Sequence, residues 1–174
     1  MHSYRPRSRP VMTAVGNKFA CVRYQMEKKN ENPNVLLLED IHQDTALDAD
    51  ILKTLISKTE DSEQKNLLRA MLVTYENFAG EAKNRLREMD VQTKSPGMLK
   101  KLPSELSVTM STLTDRSDAR IAELVIENAV TKVSEWKEKI RNADETGADI
   151  NHIRLAGDLL AFQEEVINKM RRYL

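Results

Sequence analysis

The side chains in this 174-residue sequence that could do chemistry are few: three histidines (His2, His42, His152) and one cysteine, Cys21. Two of the histidines sit in the spacing used by di-iron helical bundles, Glu39-x-x-His42 and Asp149-x-x-His152, where residues three apart share a helical face. The first pair fails on geometry. With Ile41 at the centre of an apolar stripe, Glu39 falls about 160° away and His42 about 100° away, at 100° per residue. An outward carboxylate cannot ligate an interior metal, and both histidines fall near helix ends, so a di-iron site of the usual kind is excluded. Cys21 stands alone, which rules out an internal disulfide and a CxxC knuckle.

The strongest anomaly is an acid on an apolar face. The pattern predicts a helix over 34–57, with Asn34 as its cap and a stripe of Leu37, Leu38, Ile41, Leu52 and Leu55. Asp48 falls about 20° from Ile41, on the centre line of that stripe, with Asp44 and Thr45 flanking it.

The elements that must position Asp48 follow from the same periodicity. A short turn at 59–62, with Asp61 and Gln64 spaced as a capping box, opens a second helix to about residue 90. Its stripe is Leu68, Met71, Leu72, Tyr75, Phe78, Ala82, Leu86 and Met89, and the short turn makes the first two helices antiparallel neighbours. Tyr75 is mid-stripe and level with Asp48, so its hydroxyl is the expected buried partner. Ser95-Pro96 opens a short helix to Leu113, bent at Pro103. The longest helix follows, capped by Thr114 or Asp115, with the stripe Ile121, Val125, Ala129, Val133, Trp136 and Ile140. Leu124, Ile126 and Val130 widen its apolar arc; Glu123 and Glu127 point away, and Glu135–Lys139 is spaced as a surface pair. The last helix fills 149–174, with a seam of Ile153, Leu160, Ile167 and Leu174. Four helices of about 24, 29, 27 and 26 residues make an all-α four-helix bundle, each roughly 36–43 Å long. Residues 91–115 are too many for a tight turn and suit one long helical crossover between the second and third long helices. The competing up-down-up-down bundle leaves Pro96–Leu113 as an appended helix.

A crossover sets the first and last helices parallel. Glu164, about 40° from Leu160, then comes level with Asp48. No cofactor is the primary expectation. The alternative is a divalent metal ion on Asp48 and Glu164, since carboxylates without histidine suit hard cations such as Ca²⁺ or Mn²⁺. Against the metal stands a buried carboxylate held by Tyr75, Arg120 or water, or one proton shared by the pair.

The run from Met110 to Glu127, MSTLTDRSDARIAELVIE, resembles a family of small uncharacterised helical proteins of Gram-positive anaerobes. The similarity extends over 34–174, including Ser95-Pro96-Gly97 and Phe162-Gln163-Glu164-Glu165. The resemblance implies a bacterial protein with a ferritin-like bundle and carries no activity. Arg120 stands where the family pattern expects His, and Pro103 interrupts a segment expected to be continuous helix.

Lys plus Arg equal Asp plus Glu, 27 each, for a net charge of zero. The charge is uneven: residues 1–33 hold seven Lys/Arg against two Glu, or +5, which leaves −5 for 34–174. An acidic body is no platform for nucleic acid. The basic, Pro-punctuated residues 1–33 read as a disordered leader, with Met26 as an alternative start, and 34–174 as one domain. The five glycines are isolated, so no phosphate-binding loop is present. No apolar run approaches the roughly 20 residues that span a bilayer, so a cytoplasmic location is the default. The expected function is that of a non-catalytic bundle acting by self-association or through a protein partner.

Overall fold

The structure, a computed structural model, describes residues 32–92 and 116–174. The described residues form four helices and no strand: α1 (Pro33–Lys58), α2 (Ser62–Glu88), α3 (Asp118–Glu145) and α4 (Ile150–Met170). A 3₁₀ turn, Arg171–Tyr173, ends the chain's last helix. The expected leader (save Asn32 and Pro33) and the expected helix Pro96–Leu113 lie outside the described residues, as do Cys21, Pro103, Thr114 and Asp115.

Local chemistry sets the helix ends. Asp61 caps α2, its Oδ1 accepting from the Gln64 N–H at 2.6 Å. The reciprocal half of the capping box is missing, because Gln64 Nε2 donates instead to the Asp118 carbonyl at 2.7 Å. Ser117 caps α3, two residues beyond the nearer expected cap. Asp149 caps α4 through the Asn151 N–H. Asn34 does not cap α1. It lies within the first turn, where its Oδ1 accepts from the Asp149 N–H at 2.6 Å and meets His152 Nδ1 at 3.0 Å.

Two C-termini close in the same way. After α3, the Ala148 N–H returns to the Ala143 carbonyl and the Gly147 N–H to Asp144, with Gly147 at φ +80°. After α2, Val91 returns to Leu86 and Asp90 to Arg87, but here the left-handed position, φ 59°, is held by Asp90.

Cross-helix bonds fix the directions. α1 and α2 form an antiparallel hairpin, as the short turn predicts, and α3 and α4 form another; the closest helix contacts are within these hairpins. Asn34 beside Asp149 sets α1 parallel to α4. Gln64 on Asp118 sets α2 parallel to α3, start beside start. Lys139 and Asn128 on Asp44 and Asp48 set α1 antiparallel to α3. One core joins all four helices, with Leu38, Ile41, Leu55, Leu68, Leu86, Ile121, Trp136, Leu159 and Met170 essentially inaccessible. The stripe read for α1 is the buried one, and so is most of that for α2, with Leu72, Phe78 and Met89 packed at its margin. That for α4 is not: its core face is Leu155, Ala156, Leu159, Gln163, Val166 and Met170, turned about 90° from the expected seam. Ile153, Leu160 and Ile167 pack at the margin. No described helix is long and apolar enough to cross a membrane.

Candidate functional site

The core is polar where α1 meets α3 and α4. On α1 the positions facing inward run Leu38, Ile41, Thr45, Asp48, Leu52, Leu55, a spacing of three and four that keeps them on one line. Thr45 satisfies itself, its hydroxyl donating to the Ile41 carbonyl at 2.6 Å. Asp48 is 2 % exposed. Its Oδ1 accepts from Asn128 Nδ2 at 2.9 Å and its Oδ2 from Gln163 Nε2 at 3.2 Å. The Tyr75 hydroxyl donates to Gln163 Oε1 at 2.9 Å. Gln163 is therefore a relay, taking a proton donor from α2 and passing one on to α1.

One turn earlier, Asp44 is 1 % exposed and receives two ammonium groups from α3: Lys132 Nζ at 3.4 Å from Oδ1, and Lys139 Nζ on Oδ2. Lys139 also reaches Asp40 at 3.6 Å and lies 4.5 Å over the Trp136 ring. The result is a ladder. Asp40, Asp44 and Asp48 climb one face of α1 at intervals of four, and Lys139, Lys132 and Asn128 descend the facing side of α3.

The electrostatics follow from burial and these neighbours. Burial pushes the Asp48 carboxyl up to about 6, with the Asp44 charge adding to it and Lys132, Asn128 and Gln163 opposing. Burial works against charge on Lys132, but Asp44, Asp48 and Glu135 outweigh it and hold the ammonium above its ordinary pKa. Burial drives the Tyr75 phenol well above its usual value, and the Asp48 charge adds to that. A cavity of about 10 Å³ between Asp48, Tyr75, Asn128 and Met71 is at the lower limit for one water.

Of the residues expected at this site, Asp48 is in place and Tyr75 is buried beside it, one hydrogen bond removed. Glu164 does not face Asp48. It is on the outer surface, ion-paired with Lys137 at 3.2 Å with its side chain about half exposed, because the core face of α4 centres on Leu159 rather than Leu160. Its neighbour Gln163 takes the inner position. Arg120 holds no carboxylate at mid-bundle: it lies in the first turn of α3, about two turns before Asn128, and its guanidinium pairs with Glu123 at 2.8 Å. Glu135 and Lys139 do not pair either; Lys139 turns inward and Glu135 meets Lys132 at 3.6 Å. His42 Nδ1 lies 3.0 Å from the Ala79 carbonyl of α2, and His152 is at the end of the bundle with Asn34. Among the described residues no three His, Cys, Asp or Glu side chains converge.

Sequence reasoning missed Gln163, Asn128 and Lys132. Lys132 carries the signal that found Asp48: it continues the stripe Ile121, Val125, Ala129 and precedes Trp136 by four. Gln163 carries it too, four beyond Leu159 and three before Val166, once the seam of α4 is placed correctly. Comparison with family models, with curated proteins and with solved structures returns no match.

Proposed function

We propose that this chain is a non-catalytic bundle of ferritin-like topology, with one long crossover between α2 and α3, that works by association with a second copy or a protein partner. The observation that carries this reading is the closure of the two buried carboxylates, Asp44 and Asp48, on neighbouring side chains. Both oxygens of Asp48 are engaged by amides, and Asp44 is engaged by two lysines. Such a cluster holds helices in register; it does not present a base, nucleophile or ligand set to a substrate. The parallel setting of α2 and α3, start beside start, supports the crossover, because the end of α2 and the start of α3 are then a helix length apart. With Glu164 at the surface, Asp48 is the single anionic donor beside the small cavity among the described residues, short of what a hard cation requires.

Association is supported by apolar side chains on the outer faces of α2 and α3, where Val73 and Val130 are 56 % and 51 % exposed. Val130 belongs to the wide arc of α3, which has more apolar surface than the core covers. Sedimentation velocity over a wide concentration range tests the reading. A concentration-dependent rise in sedimentation coefficient that Val130→Glu or Val73→Glu suppresses is the expected result. A wild type that stays monomeric throughout, with binding to no partner altered by either variant, overturns it.

A further inference from the structure

The polar ladder joins two halves of one chain. Every rung crosses from the hairpin α1–α2 to the hairpin α3–α4: Asp40, Asp44 and Asp48 to Lys139, Lys132 and Asn128, Asp48 to Gln163, Tyr75 to Gln163, Gln64 to Asp118. The two sides have opposite chemistry. α1 contributes three carboxylates and α3 contributes two ammonium groups and an amide.

This division makes a pairing code. Two α1–α2 hairpins packed by the same antiparallel geometry would set Asp40, Asp44 and Asp48 against their own copies in a buried interface. Two α3–α4 hairpins would oppose Lys132 and Lys139. Like charges brought together out of water exclude both. A released hairpin is therefore complementary to one surface alone, the other kind of hairpin, and each further copy of the chain carries that surface.

The connection permits the exchange. Within one chain, residues 89–117 must span the roughly 40 Å length of α2, and with the expected helix over 96–113 kept at about 27 Å the other residues bring their reach to roughly 60 Å. An exchanged pair retains every rung named above and differs only in which chain supplies it, so the closed and exchanged forms are close in free energy.

We propose that the interface between the hairpins is an exchangeable docking surface whose partner is a second copy of this chain, α1–α2 of one copy pairing with α3–α4 of the other. The proposal rests on the self-association reading and gives it a second surface, inside the bundle, distinct from the outer faces that carry Val73 and Val130. The acidic face of α1 and the basic face of α3 are the specificity determinants.

Two full-length variants test it. Asp40→Lys/Asp44→Lys places like charges across the ladder within its own chain, and so does Lys132→Asp/Lys139→Asp. Exchange between them repairs both mismatches: one bundle carries the reversed pairs at 40, 44, 132 and 139 and the other the wild-type pairs. Each variant refolded alone is expected to lose its cooperative melt or to melt well below wild type. Refolded together at equal concentration, they are expected to give a species of twice the 19.9 kDa chain mass containing one of each, with wild-type helicity and a restored melt. A third variant with all four reversals in one chain, which restores an opposite charge to each lysine–aspartate rung, is expected to fold as wild type does. If it folds while the mixture behaves as the sum of its parts, exchange is overturned. If it fails to fold, the ladder is not a pairing code and the proposal falls with it. Concentration-dependent association of the wild type without complementation in the mixture leaves the self-association reading standing and removes exchange alone.

Discussion

Replacing Asp48 by asparagine should stabilise this protein at neutral pH and remove the part of its pH dependence that this carboxylate supplies. Burial holds the Asp48 carboxyl at about 6 in the folded chain against 3.8 for an unperturbed side chain. Above pH 6 both folded and unfolded chains carry the charge, and the folded one bears the cost of burying it. Below pH 4 both are neutral and the cost vanishes. Between these limits the folded chain binds the extra proton, so this group makes the fold more stable as pH falls. The full difference is about 3 kcal/mol, from 1.36 kcal/mol per pKa unit, and about 2 kcal/mol of it appears between pH 4.5 and 7.5. Asparagine has the shape of the protonated acid. Its new N–H₂ would face Gln163 Nε2, but Gln163 can turn its amide over, accept from the substituted side chain and donate to the Tyr75 oxygen, which accepts as readily as it donates. Asn128 continues to donate to the remaining oxygen. Urea unfolding of wild type and Asp48→Asn at several pH values is the assay. The difference in stability isolates Asp48 from carboxylates that act in the opposite sense, such as Asp149, whose pKa is lowered by the backbone N–H it caps. At pH 7.5 the variant should be the more stable, with a midpoint higher by on the order of 1 M urea, and the advantage should shrink as pH falls to 4.5. A stability difference that stays flat with pH, or one that favours wild type more at pH 7.5 than at 4.5, refutes the reasoning.

Further predictions concern single groups. Asp90→Gly should raise stability by about 0.5–1 kcal/mol in thermal or chemical unfolding, because Asp90 holds a left-handed conformation that glycine adopts without strain. Lys132→Met should cost about 1–3 kcal/mol by leaving Asp44 with Lys139 as its remaining counter-charge, and Lys132→Met/Asp44→Leu should recover a large part of it; a double variant no better than the single would show that packing rather than charge sets the loss. Glu164→Ala should change stability by less than about 0.5 kcal/mol, since it breaks an exposed pair with Lys137, and calorimetric titration with Mn²⁺ should show no heat that depends on Glu164.

The helical class, the four long elements and the inward position of Asp48 were all legible in the sequence, because a 3.6-residue period and a few capping residues are local properties of the chain. The turn at 59–61 and the Gly147 stop were legible for the same reason. Which face of α4 turns inward was not. Its apolar residues support two seams about 90° apart, Leu155-Leu159-Val166-Met170 and Ile153-Leu160-Ile167, and only packing against the other three helices selects between them. That choice moves Gln163 into the core and Glu164 out to Lys137, turning an expected pair of carboxylates into a carboxylate held by amides. The destination of a long flexible cation was equally invisible. Lys139 has an acid in its own helix at Glu135, but its ammonium goes to Asp44, because a buried carboxylate stripped of water gains more from a counter-charge than an exposed one does. Local periodicity fixes what each helix can bury. Which charges are buried together is set by packing, because it depends on rotations and registers between helices far apart in the chain.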